Sequence, residues 1–210
     1  HKEILKSIAN MCFNIGALVL AEGVEDEEEI LLSLKLDIDL FQGFWFARPS
    51  GLAFDKHCTD AKITYIGEKH TQNVKTSMQH KEFLIENAKA YTQTIIDAIT
   101  QAQHLDLSHF LKEFEPIEAI YCIDATTGSQ IGDTFICTDT NEFFHPAKAG
   151  DSHALKEYFY ITKESKRGNY LSQKYISRAS GRMCRTFAQK FSHDNAEKIL
   201  CLDLKVSSLT

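Results

Sequence analysis

The chain lacks most of the features that would assign it quickly. No two of its six cysteines (Cys12, Cys58, Cys122, Cys137, Cys184, Cys201) are spaced as Cys-x-x-Cys. A zinc cluster and a disulfide framework are therefore not expected. Four of the six lie in apolar runs, where a free thiol behaves as a small hydrophobe, and a reducing cytoplasm is the expected compartment. No uninterrupted apolar run approaches the ~18 residues of a membrane span, and no signal-peptide pattern is visible, so no membrane segment is expected in this chain. The nine histidines show neither HExxH nor HxH spacing, which leaves no histidine metal site to propose. Positive charge is also short. Twenty-three Lys and Arg face 29 Asp and Glu, a net charge of -6, so there is no electrostatic footprint for nucleic acid.

What is present is a chain of 210 residues, 43% hydrophobic, long enough for one or two domains with a real core. It starts at His1, without Met and already inside a helical pattern, so a fragment is expected. Ile4, Leu5, Ile8, Met11 and Cys12 recur at helical spacing, and Asn14-Ile15-Gly16 ends that helix. Ala17 to Ala21 is a short apolar run of the kind expected for a parallel strand buried on both faces. Glu25 to Glu29 are five consecutive acids. At a helix start they meet the positive end of the helix dipole, and Asp26 with Glu29 forms a capping-box pattern. Ile30, Leu31 and Leu34 make the inner face of that helix, and Leu40 to Phe46 reads as the next strand.

The wording of this stretch, Val19-Leu20-Ala21-Glu22-Gly23-Val24-Glu25 and then Gln42-Gly43-Phe44-Trp45-Phe46-Ala47-Arg48-Pro49, resembles the last two β/α units of EAL domains. These are bacterial phosphodiesterases that open cyclic di-GMP. A strand ending on a carboxylate and the next ending on an amide is how a (β/α) barrel sets chemistry at its C-terminal mouth. The resemblance implies Glu22 as a carboxylate contacting a catalytic Mg2+ or Mn2+, Gln42 as the amide near the metal-bound water, and Glu25 as a supporting residue. Spacing alone leaves another reading of Glu22, that it merely favours the following helix start. The other metal ligands of the family, its Glu-Ala-Leu segment and its lysine are absent. The chain alone is therefore expected to hold no metal and to be inactive, while the parent is expected to be the phosphodiesterase or a degenerate receptor of cyclic di-GMP.

Residues 50 to 73 are mixed and polar, read as a closing helix and a connector. From about Val74 to Gln103 runs a long helical stretch without Gly or Pro, with a stripe of Met78, Leu84 or Ile85, Ala88, Tyr91, Ile95 and Ile99. It is either a packed first helix or a dimerising signalling helix. Beyond Leu107 the texture becomes sheet-like. Strands are expected at Ile117 to Ile123, Gln130 to Ile136, Tyr170 to Ser177, Met183 to Phe191 and Lys198 to Val206. Turns are expected at Asp124 to Gly128, Ser180-Gly181 and His193-Asp194-Asn195, and a helix around Ser152 to Lys163.

This half resembles the Cache group of sensor domains, relatives of PAS domains. The matching pieces are Ile120 to Asp124, Tyr158-Phe159, Tyr170-Leu171-Ser172, Tyr175-Ile176-Ser177, Thr186 and Ile199 to Leu204. By that resemblance Lys156, Tyr158, Tyr175, Thr186 and Asp203 would line a pocket for a small-molecule signal. Lys156 and a tyrosine hydroxyl would hold a carboxylate, and Asp203 an ammonium group. Lys156 stands where the family often has Arg, and Lys174 where it commonly has Pro. Read as residues alone, Tyr158, Phe159 and Tyr175 are more often core residues with their hydroxyls satisfied, and Asp203 a strand-end tie. Arg178, Arg182 and Arg185 cluster near one hairpin and read as a solvated face ahead of an anion site.

The expected architecture is thus α/β plus α+β. Residues 1–55 are the C-terminal remnant of a (β/α)8 barrel, 56–73 a connector, and 74–210 a helix-led, antiparallel-sheet Cache/PAS-like domain. The expected partners are cyclic di-GMP for the intact parent, a small molecule at the sensor, and a second copy in a homodimer; the alternative is a C-terminal module that acts only as a dimerisation platform, without ligand.

Overall fold

A computed structural model describes residues 2–49, 51, 56–101, 106–137 and 143–206. The chain divides into two compact units, residues 1–80 and 81–210.

In the first unit, α1 (Lys2–Asn14), β1 (Leu20–Glu22), α2 (Glu27–Lys35) and β2 (Leu40–Gln42) precede the start of α3 (Lys56–Gln101). α1 ends where the Ala17 N–H donates to the Cys12 carbonyl at 2.9 Å. Helix α2 begins as its acids predict. Asp26 is the N-cap, its Oδ1 accepting from the Glu29 N–H at 2.9 Å. The Glu29 carboxylate reaches back one residue further than a capping box requires, to the Glu25 N–H at 2.9 Å.

β1 and β2 pair in parallel, with Leu20 opposite Leu40, Ala21 opposite Phe41 and Glu22 opposite Gln42. Ala21 and Phe41 pack with Leu31, Leu34, Trp45 and Phe46 around buried Val24, Ile30 and Ile66. The opposite face, bearing Leu20, Glu22, Leu40 and Gln42, is exposed. β1 therefore begins three residues later than expected and is covered on one face instead of two. Leu18 is 82% exposed, and Leu20 and Leu40 are 44% exposed each. β2 likewise stops at Gln42 and does not continue to Phe46. The cause is Gly43, where a Cβ would lie 2.1 Å from the Val24 carbonyl oxygen. That approach lets the Val24 N–H donate to the Gln42 carbonyl (3.1 Å) and the Trp45 N–H to the Val24 carbonyl (3.0 Å), so the chain turns.

Helix α3 is continuous over 46 residues. The stretch 56–73, read from sequence as a closing helix and a connector, is helical throughout, and the helix begins 18 residues ahead of Val74. No apolar stripe marks it, because Ile63 and Tyr65 are exposed while the buried positions are Thr59 and Ile66. Residues 102 and 103 lie outside the described residues.

In the second unit the end of α3 buries Ala88, Thr92, Ile95 and Ile96. α4 (Ser108–Glu113), a short helix without a sequence signal, follows. Next come β3 (Ile117–Asp124), β4 (Gln130–Ile136), α5 (Glu157–Glu164), β5 (Asn169–Leu171), β6 (Tyr175–Ile176), β7 (Met183–His193) and β8 (Ala196–Lys205). The antiparallel sheet has the order β4-β3-β8-β7-β5, with β6 also on β7. Alternation along the strands gives it two apolar layers. Ile117, Ile120, Phe187, Leu200, Leu202 and Leu204 pack with α3 and α4, while Tyr121, Ile123, Ala188, Ile199 and Cys201 pack with Tyr158 and Phe159 of α5. The β7–β8 hairpin closes on Asp194 (φ 53) and Asn195 (φ 59). These are residue types that tolerate the left-handed region a two-residue turn demands. Gly128, in the β3–β4 turn, has φ +77, and a Cβ there would lie 2.9 Å from the Ala154 Cα.

Because Gly43 is held against backbone, with no flexible side chain to give way, Gly43→Ala should destabilise the first unit. The expected loss is about 1–3 kcal/mol in chemical denaturation followed at Trp45. Gly51→Ala, with open space around its Cβ, should change little.

Candidate functional site

Each unit carries a candidate site. In the first, Glu22 and Gln42 end neighbouring parallel strands in register, a strand spacing of about 4.8 Å apart, on the uncovered face. Glu25 lies on the loop between them and α2, its N–H held by Glu29. The structure thus brings Glu22 and Gln42 together. Among the described residues, no three His, Cys, Asp or Glu side chains converge as a metal would require. One carboxylate and one amide fall short of the six oxygens a hard divalent cation takes, so this chain alone does not fit one.

The second unit holds a cavity of about 380 Å³. Its floor is the α5-side face of the sheet, where β8 contributes Asp203, β3 Tyr121 and β6 Tyr175. Tyr158 of α5, Gln130 of β4, and His153 and Lys156 of the segment leading to α5 form the wall.

Asp203 is 4% exposed, and the side-chain bonds it accepts from the described residues fall on one oxygen. Thr186 Oγ1 donates to Oδ1 at 2.8 Å, Tyr121 Oη at 3.3 Å and Tyr175 Oη at 3.4 Å. The Thr186 proton is committed to that carboxylate, so the 2.5 Å contact between Tyr175 Oη and Thr186 Oγ1 has Tyr175 as donor, its single proton shared unequally between Thr186 and the more distant Asp203 Oδ1. Burial pushes the Asp203 carboxyl up to about 6, against the three hydroxyls that favour its charge.

His153 is fixed from both sides. Its Nδ1 meets Tyr158 Oη and its Nε2 meets Gln130 Oε1, both at 2.8 Å, and its ring stacks on Tyr121 with centroids 5.3 Å apart. The Gln130 amide nitrogen is spent on Gly132 O, Thr134 Oγ1 and Ala147 O, so Gln130 Oε1 can only accept. His153 Nε2 therefore carries the proton and Nδ1 accepts from Tyr158. Burial, and secondarily Lys156, hold His153 below its ordinary value, so the ring is neutral at pH 7.

Of the residues named from sequence, Lys156, Tyr158, Tyr175 and Asp203 line the cavity. Thr186 lies behind it, linking Tyr175 to Asp203. The core and pocket readings of Tyr158 hold together, because it is 6% exposed in the apolar layer and still borders the cavity. The three arginines do not form one solvated face. Arg182 is exposed, Arg185 Nη1 donates to the Ser172 carbonyl at 3.2 Å, and Arg178 lines the cavity. Sequence reasoning missed Tyr121, Gln130 and His153. Tyr121 was within reach, two residues before Ile123 on the same face of β3. The other two gain their role only from hydrogen bonds across distant segments.

The pH behaviour follows in sign from Asp203. Between about 4 and about 6 the folded chain keeps a proton that the unfolded chain has lost, so this group's contribution to stability falls as pH rises through that window. Asp203→Asn should remove that fall, a difference of the order of 3 kcal/mol between pH 4 and pH 6.5 in denaturation midpoints.

Residues 1–49 match the family model described as the EAL domain. No curated protein matches the chain. Among solved structures, the Bacillus subtilis YkuI protein, which has an EAL domain and was crystallised with cyclic di-GMP and calcium, superposes with a TM-score of 0.78. It is 19% identical, over 97% of this chain and 53% of that one, so the chain spans about half the length of YkuI. The sensory domain of the Campylobacter jejuni chemoreceptor Tlp3, solved with isoleucine, superposes with a TM-score of 0.53 at 11% identity, over 75% of this chain and 66% of that one. The same domain solved with L-valine gives 0.53 at 11%, over 75% and 66%. The chain therefore joins a segment matching the EAL domain to a unit with the fold of Cache-type sensory domains.

Proposed function

We propose that the chain is part of a bacterial cyclic di-GMP signalling protein. Residues 1–55 are the end of the barrel, 56–73 a helical connector and 74–210 the sensor. The observation that carries this reading is the register of Glu22 opposite Gln42 at the C-terminal ends of adjacent parallel strands, on a segment matched to the EAL domain. In the intact protein Glu22 is one ligand of a Mg2+ or Mn2+ ion, with Gln42 beside it and Glu25 supporting the loop. The activity assigned is hydrolysis of cyclic di-GMP to linear pGpG. The sensor governs it by binding its ligand better in one of two arrangements.

The cavity supports ligand sensing over a purely structural platform. A platform would fill the space between α5 and the sheet, whereas here about 380 Å³ opens onto Asp203, Tyr175, Tyr158 and Lys156. A small zwitterion suits it, with a carboxylate towards Lys156 and an ammonium towards Asp203. A homodimer is part of the same reading, since residues 71–83 of α3 are exposed throughout. Among the described residues no helix is long and apolar enough to cross a membrane, and the cytoplasm is the compartment proposed.

Two measurements test this. In the intact protein, Glu22→Gln should lower pGpG formation, followed by chromatography, at least about 100-fold. Intact wild-type protein that binds cyclic di-GMP but forms no pGpG would make it a receptor instead. Light scattering on this chain should return twice its 23.8 kDa; a mass of one chain removes the homodimer.

A further inference from the structure

Arg178 has no part in the zwitterion fit proposed above, yet it lines the same cavity. It stands in the turn between β6 and β7, shortly after the floor residue Tyr175. That turn is closed on itself. The Ser177 N–H donates to the Arg182 carbonyl and the Gly181 N–H to the Ser177 carbonyl, each at 2.8 Å. Ser177 Oγ accepts from the Ala179 N–H at 3.2 Å. Phe144 packs against the same turn, since a Cβ on Gly181 would lie 2.7 Å from its ring. Phe144 leads into His145, Pro146 and Ala147, which line the cavity as well. The backbone that carries Arg178 is thus fixed to the cavity wall, while its side chain is exposed.

The cations of the lining are unanswered. Lys156, in the segment leading to α5, and Arg178, in the β6–β7 turn, are both exposed, and neither is ion-paired among the described residues. Of the acids in the lining, Asp203 is the buried floor, and Asp151 accepts from the Lys148 N–H at 2.8 Å within its own turn. Apolar material is scarce. Apart from tyrosine rings, the wholly apolar side chains among the described lining residues are Pro146, Ala147 and Ala179. Small-molecule pockets are usually lined mainly by hydrophobic side chains. An aliphatic amino acid held here would find little apolar surface to cover its side chain.

We propose that Arg178 is a specificity-determining residue that takes a second carboxylate, so that the cavity selects an amino acid with an acidic side chain. With the ammonium towards Asp203 and the α-carboxylate towards Lys156, the side-chain carboxylate is left for Arg178. A guanidinium offers a planar fork that meets a carboxylate with two parallel hydrogen bonds, which a lysine ammonium cannot do. The charges then match: two carboxylates and an ammonium on the ligand face two cations and one carboxylate on the protein. The inference rests on the zwitterion reading of the cavity and adds the class of side chain. It also sets this chain apart from the Tlp3 sensory domain, which was solved with isoleucine and with L-valine.

The test is calorimetry on this chain with L-glutamate, L-aspartate, L-glutamine and L-valine, for wild type, Arg178→Gln and Arg182→Gln. Glutamine is close to glutamate in shape but lacks the second charge. Arg182 is exposed in the same turn and does not line the cavity. Wild type should bind at least one of the two acidic amino acids about tenfold or more tighter than glutamine or valine, as one charge-assisted pair at an exposed position allows. Added salt should narrow that gap. Arg178→Gln should bring the acidic amino acids down to the level of glutamine, and Arg182→Gln should keep the wild-type preference. Equal binding of acidic and neutral amino acids by wild type overturns the role of Arg178 and leaves the zwitterion reading standing, and so does a preference that survives in Arg178→Gln. If wild type binds none of the four, both fall. Should Arg178→Gln fail to fold, the wild-type ratio and its salt dependence decide. A tenfold preference that salt erodes supports the proposal, and a ratio near one, or indifferent to salt, overturns it.

Discussion

Everything of functional interest in this chain depends on side chains alternating across strands. Along β8 the alternation sends Leu200, Leu202 and Leu204 to the layer under α3 and α4, and Ile199, Cys201 and Asp203 to the other face. A slip of one residue would bury the carboxylate among leucines and line the cavity with them. The pairing is held against such a slip from both sides. β8 runs antiparallel to β3 and to β7 in long ladders, and the β7 ladder is closed by the tight turn at Asp194-Asn195. In the first unit the same alternation puts Ala21 and Phe41 into the core and leaves Glu22 and Gln42 side by side outside it.

The polar floor of the cavity is built from few parts. Three hydroxyls converge on one oxygen of Asp203, so that carboxylate is oriented before anything binds, a form of preorganisation. A neutral histidine, clamped between Gln130 and Tyr158 and stacked on Tyr121, stiffens the adjoining wall. Gln130 also holds the segment before α5 through the Ala147 carbonyl, so one amide joins the wall of the cavity to the strand beneath it. The buried thiols stay out of the chemistry. Burial pushes Cys122 and Cys184 up to about 12, and a thiol held that high is a poor nucleophile.

How much of this could be read in advance depended on the range of the interaction. Local rules served well. Asp26 caps α2, Asp194 and Asn195 make the turn, and Gln130 to Ile136 is the strand expected. The register of Glu22 with Gln42 followed from two short strands flanking a helix. What failed was set by partners far along the chain. β2 stops at Gln42 because Gly43 touches Val24, and α3 begins at Lys56 without any periodic apolar signal. His153 matters because Gln130, 23 residues away, accepts its proton.

The bare face of the two-stranded sheet has a consequence of its own. Two short strands alone are marginal in water, and here Leu18, Leu20 and Leu40 stand uncovered, as do Ile4, Leu5, Ile8 and Met11 of α1. Greasy surface next to a short ladder invites adhesion. Handled by itself, the first eighty residues would be the sticky part of the molecule. Their solubility would depend on what lies against those leucines more than on any change within the second unit.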